Sequence, residues 1–162
     1  MIRILIFGNS GSGKSTMAKA LSVKHALAHL DLDSLAWEAT DPPTRKAIAE
    51  SAEAIQAFLN SNDGWVIEGC YGDLLSLVAE HAEKVVFLNP GVEQCIANCR
   101  SRPWEPYKYP SQKAQDENLQ ILIEWVRQYT QRDDEFSLQS HRALYDRFDG
   151  EKVEYQANVE FS

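Results

Sequence analysis

The 162-residue chain has no apolar run approaching the about 18 residues a membrane span requires. Met1-Ile2-Arg3 leads straight into a strand-like run, without the layout of a signal peptide. These absences argue against a membrane partner and predict a cytoplasmic location. Cysteine is scarce: Cys70, Cys95 and Cys99 cannot all pair with one another, which suits a reducing compartment. Cys95 and Cys99 share a helical stripe with Val92 and Ile96, so they are expected as buried small hydrophobes rather than a metal pair. The histidines at 25, 29, 81 and 141 show no ligand spacing, and no structural zinc is predicted. Cations are also in deficit: 16 Lys and Arg against 24 Asp and Glu leave a net charge of −8. That balance opposes a sequence-independent grip on nucleic acid. Arg45 is the only arginine between residues 15 and 99, and no Asn/Thr-Lys-x-Asp guanine motif occurs, which disfavours a GTPase.

Glycine, by contrast, is concentrated. Three of the eight glycines fall in Gly8-Asn9-Ser10-Gly11-Ser12-Gly13-Lys14-Ser15-Thr16, between the apolar run Ile2 to Phe7 and an alanine-rich helical stretch. Gly8, Gly13, Lys14 and Ser15 fill the pattern of glycine, four free positions, then Gly-Lys-Ser/Thr. At average residue usage a chance match is on the order of 10⁻⁵ per window. Such a loop turns successive backbone N–H groups onto one anion at a helix N-terminus, where the dipole also favours negative charge. Lys14 is expected to reach the β- and γ-phosphates of ATP, the Ser15 hydroxyl to ligate Mg²⁺, and Thr16 to add a further contact.

Apolar, β-rich runs at 2–7, 27–31, 64–68, 84–89 and 152–155 alternate with helical patterns. The alternation predicts an α/β fold with a mostly parallel sheet, and one domain over residues 1–162. Asp41-Pro42-Pro43 reads as a helix start, with Ile48, Ala52, Ile55 and Leu59 at helical spacing; a helix over 43–60 is expected. Asn89-Pro90 opens another. Leu119, Leu122, Val126 and Tyr129 mark a long helix, and Leu138, His141, Leu144 and Phe148 one more before the last strand. Residues 100–110 hold three prolines, three aromatics and three cations, and are expected as a loop at the start of a lid spanning about 100–135.

In a doubly wound sheet, ligands lie beyond the C-terminal strand ends. The acidic candidates there are Asp31 and Asp33 after the second strand and Glu68 after the third. Asp31 is expected to serve Mg²⁺ and Asp33 the acceptor hydroxyl, with Glu68 an alternative on the metal side and helix capping an alternative for Asp33-Ser34. Arg100, Arg102 and Lys108, among Trp104, Tyr107 and Tyr109, suit a lid that neutralises a transferring phosphoryl group.

These residues resemble the P-loop kinase group that includes adenylate kinases, shikimate kinases and the adenylate-kinase-related topology modulation proteins. Asp31-Leu32-Asp33 looks like the shikimate-kinase DxD element, Arg102-Pro103 like its lid motif, and Arg142-Ala-Leu-Tyr145 like its substrate-side arginine and tyrosine. Arg132-Asp133-Asp134 resembles the lid-closing segment of adenylate kinases. The runs from His29 to Ser34 and from Trp65 to Gly69 are most similar to the topology modulation group. The resemblance implies a three-layer P-loop fold with strand order 2-3-1-4-5, ATP and Mg²⁺ as cofactors, and a small-molecule acceptor. It assigns catalytic roles to Lys14, Asp33, Arg102, Arg132 and Arg142, nucleotide contacts to residues 8–16 and Arg100, and metal contacts to Ser15, Asp31 and Glu68. Glu68-Gly69 is followed by Cys70-Tyr71-Gly72, neither the aromatic-Pro-Arg of adenylate kinases nor the triple glycine of shikimate kinases. A kinase acting on an acceptor hydroxyl is the expected function; an ATP-binding regulatory module and a nucleoside monophosphate kinase are the alternatives. Oligomeric state stays open between monomer and weak dimer.

Overall fold

A computed structural model describes residues 1–160. Five strands, β1 (Arg3–Gly8), β2 (Ala28–Asp31), β3 (Trp65–Gly69), β4 (Lys84–Leu88) and β5 (Glu151–Tyr155), form one parallel sheet in the order β2-β3-β1-β4-β5. Parallel strands are buried on both faces, which is why they stand out as continuous apolar runs. Alternate residues feed two cores. Leu5, Phe7, Ile67, Val85 and Phe87 face one side, under α3 (Ile48–Ser61), α4 (Gly72–Ala79) and α7 (Leu138–Arg147). Ile4, Ile6, Val66, Val86 and Leu88 face the other, against Met17 and Ala18 of α1 (Lys14–His25). The register aligns Phe7 with Gly69 and Phe87, and Asp31 with Glu68, so the strand ends that carry polar residues share one edge.

A third cluster joins α5 (Val92–Ser101) to α6 (Gln112–Arg127): Cys95, Ile96, Cys99, Ile123 and Val126 are all buried. The two cysteines are thus small core residues, and all three cysteines are free. The helix expected over 43–60 begins only at Ile48. The preceding segment folds back instead: Trp37 bridges Arg45, Glu38 N–H donates to Thr44 O, and Lys46 N–H donates to Ala36 O. These pairings use the backbone groups a helical turn would need. A short helix α2 (Asp33–Ala36) precedes that fold-back, and Tyr129 falls in a 3₁₀ turn after α6. No helix of the described residues is long and apolar enough to cross a membrane.

Candidate active site

The loop after β1 closes against its surroundings on one side and opens on the other. Gly11 has φ 81°, and a Cβ there would lie 2.5 Å from Cys95 O, so both conformation and contact demand glycine. Gly13 has φ 97° but meets nothing within 4 Å; its bare face is turned to open space, where a phosphate can approach the amides of α1. Asn9 is buried, and its Nδ2 donates to Val126 O at 3.3 Å, tying the loop to the end of α6. Lys14 Nζ donates to Asn9 O at 2.8 Å, and the buried Ser12 Oγ has no hydrogen-bond partner among the described residues. A phosphate chain fits this loop: it supplies the acceptors that the amides and Ser12 lack, and a better partner for Lys14 than a carbonyl.

A cleft of about 490 Å³ lies against the loop, and residues 10, 11, 13–16, 31, 33, 68 and 102 all line it. Glu68, 1% exposed, has each oxygen engaged: Oε1 accepts from Ser15 Oγ at 2.6 Å, and Oε2 lies 2.5 Å from His29 Nε2. Burial, followed by the charges of Asp33 and Glu68, pushes the Asp31 carboxyl up to about 6. Three carboxylates and one serine hydroxyl crowd a small volume beside the phosphate loop, and a divalent cation relieves that repulsion. Among the described residues no three His, Cys, Asp or Glu side chains form a closed metal cage. Mg²⁺ binds through one or two carboxylates and completes its shell with water and phosphates. Ser15, Asp31 and Glu68 are the residues that would hold it.

Asp31 also shapes the turn: its Oδ1 accepts from Asp33 N–H at 2.9 Å, and Ser34 Oγ donates to its carbonyl at 2.6 Å. Asp33 makes no side-chain cap on α2. One of its oxygens accepts from the Tyr71 hydroxyl, and the other lies 3.7 Å from Lys108 Nζ. Trp37 Nε1 donates to the same phenol oxygen at 2.8 Å. Burial, then the charge of Asp33, raises the Tyr71 phenol well above its ordinary value and keeps it a donor. Cys70 also lines the cleft, and burial pushes its thiol up to about 12, which disfavours the thiolate.

The loop after α5 supplies a further wall. Arg102 sits 3.7 Å from Glu105, and Trp104, Tyr107 and Lys108 line the cleft beside it. The remaining arginines lie elsewhere. Arg100 is exposed and lines neither the cleft nor the second cavity described below. Arg132 stacks on Trp125, its Cζ 3.5 Å from the ring centroid, and pairs with Asp134. Arg142 forms a two-pronged ion pair with Glu154 of β5, at 2.7 and 2.8 Å, and packs on Phe87. The second cavity, of about 400 Å³, adjoins Gly11–Gly13, Arg102 and Asn158. Asn98 donates to Gly11 O at 2.8 Å and exchanges amide hydrogen bonds with Asn158, linking loop, α5 and the segment after β5.

Sequence reasoning missed His29, Tyr71, Trp37, Glu105 and Lys19 as residues of the site. His29 stands two residues before Asp31, on the same strand face, which is a weak signal. Tyr71 and Trp37 depend on contacts that no local spacing encodes, whereas Glu105 pairs within its own loop, with Arg102 and Lys108, and Lys19 lines the cleft one turn beyond Ser15 on α1.

No family model matches the chain. Its fold is that of P-loop kinases. Deoxyadenosine kinase from M. mycoides with bound dATP superposes over 98% of this chain and 93% of its own, with a TM-score of 0.53 and 11% identity. A gluconokinase from Sinorhizobium meliloti gives 0.55 and 18%, covering 98% and 84%. Shikimate kinase from Acinetobacter baumannii gives 0.52 and 16%, covering 98% and 88%. At these identities the likeness shows the fold alone. The uncharacterized protein YqaC of Bacillus subtilis is 30% identical over 132 residues, 78% of this chain and 71% of that protein. A P-loop kinase fold in structure, the chain belongs by sequence to the family of YqaC.

Proposed function

We propose that the chain is an ATP- and Mg²⁺-dependent phosphotransferase acting on a hydroxyl of a small molecule. The observation that carries this reading is the placement of Asp33, its carboxylate facing the same cleft as Lys14 and the Ser15–Glu68 pair. In that role Gly8 to Thr16 bind the phosphates, Lys14 transfers from Asn9 O to a phosphate oxygen, and Arg102 offsets charge on the transferring group. Mg²⁺, when bound, neutralises phosphate charge. Asp33 orients the acceptor hydroxyl and takes its proton as the hydroxyl oxygen bonds to the γ-phosphorus and the bond to the ADP oxygen breaks. Arg132 and Arg142 would have to leave Trp125 and Glu154 to take part. A nucleoside monophosphate acceptor is poorly served: Arg45, the only arginine from 15 to 99, is held by Asp73 and Glu135. The motifs from His29 to Ser34 and Trp65 to Gly69 support kinship with the topology modulation group.

A regulatory module that hydrolyses ATP slowly is the second reading, favoured by Lys108, which covers the open oxygen of Asp33. ADP release from Mg·ATP across a panel of acceptors separates the two. The phosphotransferase reading expects one acceptor to raise the rate at least tenfold, and Lys14→Ala to abolish the rise. A rate indifferent to every acceptor supports the module.

A further inference from the structure

The acceptor side of the cleft has an unusual charge balance. Asp33 and Glu105 both line it, and the ammonium that touches both is Lys108, 3.7 Å from Asp33 Oδ2 and 3.9 Å from Glu105 Oε2. Two carboxylates thus share Lys108, and Glu105 Oε1 lies 3.7 Å from Arg102 Nη1 as well. Lys14 and Arg102 belong to the phosphate side, at the loop and at the wall shared with the second cavity.

Elsewhere in the fold, the guanidinium that could grip an anionic acceptor is spent. Arg45 meets both oxygens of Asp73 and one of Glu135, each at 3.2 Å, and its Cζ lies 4.7 Å from the Tyr71 ring centroid. It is not part of the cleft wall. Arg102, the guanidinium in the cleft wall, faces Glu105 and, in the proposed reaction, the transferring phosphoryl group, so a phosphate or carboxylate on the acceptor would meet two carboxylates with Lys108 between them.

What the wall does offer is hydrogen-bond acceptors. Glu105 Oε1 is buried and without a hydrogen-bond partner among the described residues, while the Tyr107 hydroxyl engages the other oxygen. Arg102 Nη1, 3.7 Å away, stands beyond hydrogen-bond reach, and a buried carboxylate oxygen without a hydrogen bond is costly until a donor reaches it. Asp33 Oδ2, opposite, has only the long contact to Lys108. Trp104 adds a flat surface: its Nε1 donates to Tyr109 O at 3.0 Å, which fixes the indole at the cleft with 41% of the residue still exposed.

Building on the phosphotransferase reading, we infer that the acceptor is an uncharged, hydroxyl-rich ring compound, a nucleoside or a free sugar. Its hydroxyls donate to Asp33 and Glu105, its ring lies against Trp104, and phosphorylated or carboxylated analogues are repelled.

Calorimetry on the full chain, saturated with Mg²⁺ and a non-hydrolysable ATP analogue, tests this with matched pairs: adenosine against AMP, and glucose against gluconate. The filled donor site prevents AMP from binding there. One uncharged member is expected to bind at least about 30-fold more tightly than its anionic partner, and which pair responds tells nucleoside from sugar. Glu105→Arg should cut that discrimination by about tenfold or more. If that chain fails to fold, Glu105→Gln should cut it by about threefold. Equal or tighter binding of AMP or gluconate overturns the inference, as does binding of neither pair. Binding in the expected order without phosphoryl transfer defeats the phosphotransferase reading and leaves the acceptor class standing.

Discussion

The two oxygens of Asp33 have different neighbours. One is taken by the Tyr71 phenol, itself held by Trp37, and the other faces Lys108 and the cleft. The fixed oxygen sets the direction of the open one, so Tyr71 is a positioning residue for the proposed base. Tyr71→Phe should lower kcat roughly tenfold while leaving the KM for ATP within about twofold, because the phenol contributes to orientation and not to the phosphate loop. A steady-state comparison at saturating acceptor checks this. The phosphate loop gives a paired test. Gly11→Ala places a methyl against Cys95 O at a positive φ and should cost about 2 kcal/mol of stability. Gly13→Ala points its methyl into open space, so it should weaken ATP binding at least tenfold with a smaller loss of melting temperature. Thermal melts with and without Mg·ATP separate the two. The loop was readable because its chemistry lies in nine consecutive residues. Tyr71 and Trp37 were not, since their importance arises from contacts such as the one joining positions 33 and 71.

Elements differ in how far sequence foretells them. The five strands fall within a residue or two of expectation; burial on both faces gives β1, β3 and β4 an uninterrupted apolar run, while the edge strands β2 and β5 are only partly covered. The start of α3 was misread because Arg45 and Lys46 pair with residues around Trp37, a long-range bridge that outweighs the local signal of Asp41-Pro42-Pro43. Helices α5 and α6 pack through Cys95, Ile96, Cys99, Ile123 and Val126, a cluster distinct from the two sheet cores. Ile123→Ala should therefore cost about 2 to 4 kcal/mol locally. Hydrogen exchange is expected to quicken across residues 92–127 while β1, β3 and β4 keep their protection. Uniform loss over the sheet would show that α5, α6 and the sheet unfold together.

At the scale of the whole molecule, two buried groups oppose each other in pH. His141, 0% exposed, donates from Nε2 to Cys70 O and in its neutral form accepts at Nδ1 from the Tyr129 hydroxyl, and burial lowers it to about 4. The unfolded chain binds its proton first, so the stability that neutral His141 contributes is full above about pH 6.5 and is lost as pH falls towards 4, by roughly 3 kcal/mol. Asp31, raised to about 6, has the reverse sign: it favours the fold as pH drops through 6. The two slopes have opposite signs over overlapping pH ranges. Asp31→Asn should expose the His141 slope, with urea midpoints falling steeply from pH 6.5 to 4.5. His141→Phe should reverse it, whatever its absolute stability.

The central claim concerns where the γ-phosphoryl group of ATP goes. The most direct measurement follows that group with a radiolabel, incubating the full chain with Mg·ATP and uncharged polyhydroxylated acceptors and separating the products. The account predicts label in a phosphorylated organic product, dependent on acceptor and lost in both Lys14→Ala and Asp33→Asn. Label recovered only in inorganic phosphate and unreacted ATP, at a rate no acceptor changes, would contradict it.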